Sequence, residues 1–105
     1  MSLPSTMKAV VVKGEGAAVE EVPLPPISEG RFLIKVEAAA GNPTDWKHIA
    51  YKLGPQGSII GCDVAGKVVK LGPQVKGFEV GDLVYGLAHG CSVKHPENGG
   101  FAQYS

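Results

Sequence analysis

The chain is poor in the residues that mark a metalloprotein, a secreted domain or a nucleic-acid binder. It has two cysteines, Cys62 and Cys91, and three histidines, His48, His89 and His95, among 105 residues. Two cysteines make no disulfide framework, and a reducing, cytoplasmic setting is the simplest expectation. A structural zinc site takes four Cys or His ligands, usually in close pairs. Cys91 and His95 stand four apart, but Gly90 and Pro96 beside them read as loop, so unpaired loop residues are expected there and no metal. Lys plus Arg number 10 and Asp plus Glu number 10. With no basic excess, neither nucleic acid nor an acidic membrane is an expected partner. No apolar run approaches the roughly 18 residues of a membrane span, and no charged region followed by an apolar stretch opens the chain as a secretory signal would. No G-x-G-x-x-G follows a strand and opens a helix, so a dinucleotide would have to be held mainly by residues outside this chain.

Glycine and proline are plentiful instead, at 15 and 8 residues. Such punctuation favours short strands and turns, and the length suits one domain. Met7 to Val12 reads as a strand ending at a turn around Gly14 and Gly16, with Ala17 to Val22 pairing back as a hairpin. Pro23, Pro25 and Pro26 make the next segment an extended crossing. Arg31 to Ala39 is the clearest strand, with Phe32, Ile34 and Val36 on one face and Leu33, Lys35 and Glu37 on the other.

Asn42 then breaks the pattern. It suits an N-cap, with Pro43 in the first turn, Asp45 three residues on, and a helix over Thr44 to Lys52. Val64 to Leu71 is expected as a strand with a bulge or kink at Gly66. A turn and short strand follow over Val80 to Gly86, an irregular loop over Ala88 to Asn98, and a further strand starts in Gly99 to Tyr104. The fold class is therefore mainly β with one or two short helices. A strand starting so near Ser105 is expected to belong to a longer protein.

Functional groups concentrate between Gly41 and Gly66. Cys62, flanked by Ile60, Gly61 and Val64, reads better as a small buried side chain than as a nucleophile. Asp63 could act as a base, but an acid at a strand start more often holds an N–H or a cation. Lys47 lies one helical turn after Pro43. It is either a solvated surface residue, the usual case, or a donor facing a cleft where negative charge develops on a substrate oxygen. Trp46 and Tyr51 read as packing residues that could also line an apolar cleft.

In order, Met7-Lys8-Ala9, the Pro-rich segment before Phe32-Leu33-Ile34-Lys35-Val36, Gly41-Asn42-Pro43-Thr44-Asp45, Gly61-Cys62-Asp63-Val64-Ala65-Gly66, Val80-Gly81-Asp82-Leu83-Val84-Tyr85-Gly86 and Gly100-Phe101-Ala102-Gln103-Tyr104 run along the chain. Together they resemble the N-terminal, GroES-like domain of medium-chain dehydrogenases and reductases, over almost the whole chain. The resemblance implies a GroES-like, partly open and incomplete β-barrel over residues 1–105, with a Rossmann domain after residue 105. In the zinc alcohol dehydrogenases of that superfamily the first catalytic cysteine falls at Asn42 and Gly-His-Glu falls at Gly61-Cys62-Asp63. Their structural-zinc lobe falls near Leu87 to Asn98. Both zinc sites are thus expected to be lost.

The Asn42-Pro43 pair is more similar to the zinc-free quinone oxidoreductases and the fungal trans-acting enoyl reductases, and the run Asn42-Pro43-Thr44-Asp45-Trp46-Lys47 especially resembles the enoyl reductases. That likeness implies NADPH as cofactor, with Asn42, Pro43 and Lys47 beside it, and Lys47 with Thr44 as catalytic donors. The expected parent is a cytoplasmic, monomeric or homodimeric reductase of an enone, aldehyde or quinone, and this chain alone is expected to be inactive. Two other readings stand beside it: a non-enzymatic GroES-like binding module and an inactive truncated relative.

Overall fold

The computed structural model describes residues 3–51, 54–88, 90–92 and 94–105. Two antiparallel sheets carry the fold. In the first, β1 (Thr6–Lys13) pairs with β2 (Gly16–Pro23), from Thr6 opposite Pro23 to Lys13 opposite Gly16. Gly14 opens the two-residue turn at φ +60°, a conformation that suits glycine at the first central position of a hairpin turn.

The second sheet has the order β3 (Phe32–Ala40), β4 (Asp63–Leu71), β5 (Leu83–Leu87). The single helix among the described residues, α1 (Pro43–Ala50), connects β3 to the loop before β4. It ends sooner than expected, at Ala50 with Tyr51 as its C-cap, and Lys52 lies outside the described residues. The 88–98 loop is irregular apart from a 3-10 turn at Pro96–Asn98, with His89 and Val93 outside the described residues.

β1 is covered on both faces. Met7, Ala9 and Val11 pack with Ile59 against Val22, Leu24, Ala102 and Tyr104. The other face contributes Val12 to a second cluster with Ile60 and Cys91, to which Val10, Ile49 and Phe101 add. In β3 the expected alternation breaks: Leu33 and Ile34 are both buried. The pairing shifts between them, from Leu33 opposite Lys70 to Ile34 opposite Val68. An extra residue on β4 re-aims the neighbouring side chains, which no period-2 pattern foresees. The irregularity expected at Gly66 is present, since the register shifts again between Val36, opposite Gly66, and Ala38. A Cβ at Gly66 would lie 2.2 Å from the Lys35 carbonyl oxygen.

The strand expected over Gly99 to Tyr104 is replaced by two isolated bridges, Ala9 with Ala102 and Lys35 with Tyr104. The physical reason is that successive peptides turn to different neighbours. The Phe101 carbonyl accepts Val10 N–H at 2.8 Å and Gln103 N–H donates to Lys8 O at 3.1 Å, while the Gln103 carbonyl accepts Val36 N–H at 2.9 Å. This segment stitches β1 to β3. The two sheets do not close into a barrel, in keeping with the partly open, mainly β architecture expected. No helix among the described residues is long and apolar enough to cross a membrane.

Candidate active site

The site is built where β3 hands over to α1. Asn42 leaves the strand in extended conformation (φ −134°, ψ 157°) and caps the helix, with Pro43 in its first turn. Pro43 has no N–H to leave unsatisfied there. The Asp45 carboxylate reaches back to accept the Asn42 N–H at 2.7 Å, and the Asn42 carbonyl accepts Asp45 N–H at 3.0 Å. A carboxylate in the first turn also complements the positive end of the helix.

The Asn42 side chain turns the other way. Its Nδ2 donates to Asp63 Oδ2 at 2.7 Å and more weakly to Ala40 O at 3.5 Å. Asp63, the first residue of β4, therefore takes a side-chain amide rather than a backbone N–H or a cation. This charge-assisted bond ties the helix start to the central strand of the sheet. The Asn42 amide is thus spent on holding the corner together.

Thr44, half-buried, sits 3.9 Å from Cys62 Sγ through its Oγ1. One turn along the helix, His48 Nδ1 lies 3.0 Å from Thr44 Oγ1 and 2.6 Å from the Thr44 carbonyl oxygen. Sequence reading passed over this contact, although the four-residue spacing of Thr44 and His48 on a helix is its signal. Lys47 is exposed, with Nζ 5.6 Å from the centre of the Trp46 ring. The packing role expected for Trp46 and Tyr51 is met only in part, because they lean on each other at 6.3 Å but are 55% and 63% exposed. Asn42, Pro43, Thr44 and Lys47 thus share one corner, with Lys47 on its solvent side.

Cys91 is an unpaired loop residue as expected, but it is the more buried of the two thiols. Cys62 is half-buried, whereas Cys91 is the core residue. Cys91 adopts a left-handed φ of +56°, with its N–H donating to the Ile59 carbonyl at 2.9 Å. Burial pushes its thiol up. The Ser58 hydroxyl pulls the other way, and the neighbouring Cys62 and Asp45 add to the rise. A buried, protonated thiol is a packing group, not a nucleophile. Asp45 is 7% exposed, and its Oδ1 has no hydrogen-bond partner.

Among the described residues, no three His, Cys, Asp or Glu side chains converge to hold a metal ion. The donors at this corner do not fit a catalytic zinc either. Asp63 is engaged by the Asn42 amide, and an amide N–H is not a metal ligand.

Residues 28–105 match the family described as the alcohol dehydrogenase GroES-like domain. The chain is 58% identical over 108 residues to an uncharacterised protein of Saccharomyces cerevisiae, covering 100% of this chain and 29% of that protein. It is 46% identical over 101 residues to a trans-enoyl reductase of Aspergillus sclerotiorum, covering 93% of this chain and 28% of that protein. An alcohol dehydrogenase superfamily protein from Novosphingobium aromaticivorans superposes with a TM-score of 0.81 at 36% identity, over 95% of this chain and 31% of that one. The chain therefore spans less than a third of the length of the relatives it matches. With its six motifs in order, its two antiparallel sheets and its capped β3–α1 corner, it belongs to the alcohol dehydrogenase GroES-like domain family, within the medium-chain dehydrogenases and reductases.

Proposed function

We propose that the whole protein carrying this chain is a zinc-independent, NADPH-dependent reductase of an activated C=C bond, with aldehydes and quinones as related substrates. The Asn42–Asp63 hydrogen bond carries the reading. It joins, at 2.7 Å, Asn42, where the resemblance puts the first catalytic cysteine of a zinc-dependent relative, to Asp63, the residue after Cys62, where it puts the histidine ligand. Similarity to a trans-enoyl reductase supports the choice of an enone. The two free thiols support a reducing, cytoplasmic compartment.

NADPH, when bound, supplies the hydride. It would be held mainly by a domain outside this chain, with Asn42, Pro43 and Lys47 on the side where the nicotinamide approaches. A hydride delivered to the β-carbon of an enone would build charge on its carbonyl oxygen. The Lys47 ammonium donates to that oxygen, and the Thr44 hydroxyl is a second, weaker donor. For Lys47 this requires its flexible stem to swing from Trp46 toward Thr44. Uptake of one proton from solvent at the α-carbon would complete the reduction.

The test is NADPH consumption by the whole protein with an enal, a quinone and an aldehyde, beside metal analysis of the same sample. Turnover of the enal without stoichiometric zinc is expected. Zinc at one per chain contradicts the metal-free reading, and absence of turnover with all three favours a binding module.

A further inference from the structure

From the geometry around Thr44 we infer that His48 is a positioning residue. Its ring Nδ1–H holds the Thr44 hydroxyl oxygen from behind, so that the hydroxyl hydrogen faces outward and Thr44 meets its ligand as a donor. The ligand atom that fits is an acceptor oxygen, such as a carbonyl or enolate. The inference rests on the reading of this corner as the reducing site, and it names what Thr44 recognises there.

Two distances decide the direction of the hydrogen bonds. His48 Nδ1 lies 2.6 Å from the Thr44 main-chain oxygen, which can only accept. A bare ring nitrogen at that separation would set two lone pairs against each other, so Nδ1 carries the hydrogen. The same nitrogen lies 3.0 Å from Thr44 Oγ1. Its N–H is thus shared between the carbonyl and the hydroxyl oxygen, and toward His48 the hydroxyl acts only as an acceptor. This holds for the neutral ring with hydrogen on Nδ1 and for the imidazolium alike.

The other polar neighbour recorded for the hydroxyl among the described residues is Cys62 Sγ, at 3.9 Å. Sulfur is a weak acceptor, and at that range it holds the hydroxyl hydrogen loosely. With the opposite ring tautomer, Thr44 would spend its hydrogen on His48 and present lone pairs to the ligand, which would select a donor instead. His48 thereby decides which class of ligand atom Thr44 accepts.

The direct test is the ring state of His48, read from long-range nitrogen–proton NMR correlations of the whole protein labelled with 15N-histidine, the signal assigned by its loss in His48→Asn, at a pH where the ring is neutral. The Nδ1–H tautomer is expected, and the Nε2–H tautomer overturns the inference whatever the protein's activity. A kinetic arm uses the whole protein with NADPH and an enal. Thr44→Val is expected to lower kcat about tenfold with little change in KM, the loss of one modest transition-state hydrogen bond. His48→Leu is expected to match it, the double variant to lose nothing further, and His48→Asn, whose amide N–H can replace Nδ1–H, to recover most of the rate. A His48→Leu variant at wild-type kcat, beside a slowed Thr44→Val, overturns the positioning role. A Thr44→Val variant at wild-type kcat defeats the placing of Thr44 in the reducing site, while the NMR arm still decides how His48 orients it.

Discussion

Asn42 is held from two sides, its main chain by the Asp45 carboxylate and its side chain by Asp63. Replacing Asn42 by Ala removes a charge-assisted bond and leaves Asp63 without that partner. The expected cost is about 2 kcal/mol, seen as a lower urea midpoint. Asn42→Asp is more informative. It sets a carboxylate against Asp63, so that one of the pair must keep its proton more tightly in the folded state. A folded pKa above the unfolded one gives stability that is present at low pH and lost as pH rises. The variant's urea midpoint should therefore approach that of the wild type on acidification and fall away toward neutrality. Cys91 follows the same sign, since burial raises its thiol. Stability tied to that thiol is intact below its ordinary value and declines as the medium is taken above about pH 9. Cys91→Ala should show a flatter decline in urea midpoints over that range. Thiol titration should find half-buried Cys62 reacting before Cys91.

At the scale of the elements, Gly66 limits the sheet. A Cβ there would press on the Lys35 carbonyl, a backbone atom that cannot rotate away. Gly66→Ala is expected to cost about 3 kcal/mol by chemical denaturation, through displacement of β3 from β4. This glycine was legible in the sequence as an interruption of a β-branched run, and so was the Asn42–Asp45 cap, because caps follow local spacing. The Gly14 turn was legible for the same reason. The burial of Leu33 was not, since it depends on a register shift in the partner strand. Nor was the course of the 101–105 segment, whose peptides alternate between β1 and β3. At the site, the residues of the corner were visible in the sequence. The pairing of Asn42 with Asp63 was not, because only the folded sheet brings positions 21 apart together.

On the scale of the whole molecule, the β3–β4–β5 sheet leaves an apolar stripe open. Leu83, Tyr85 and Leu87 on β5 are 74%, 90% and 86% exposed. Ala38 to Ala40, Val64 and Ala65 line a shallow depression with Tyr85 and Leu87. Exposed contiguous apolar surface on an edge strand promotes association and dye binding. The 105-residue chain studied alone should enhance the fluorescence of a hydrophobic probe, and Tyr85→Thr combined with Leu87→Thr should reduce it without lowering the unfolding midpoint. The chain spans less than a third of its relatives, and the proposed reaction needs a cofactor-binding region that it does not contain. Catalysis is therefore a property to be measured on the whole protein.

The most direct measurement of the proposed chemistry is enal-dependent NADPH oxidation by zinc-free whole protein, with wild type and Lys47→Ala assayed side by side. If the β3–α1 corner stabilises the developing oxyanion, the zinc-free wild type turns over and Lys47→Ala loses about a hundredfold or more in kcat, the scale of a lost oxyanion donor. A Lys47→Ala variant as fast as the wild type, or a wild type that is silent until zinc is restored, would contradict it.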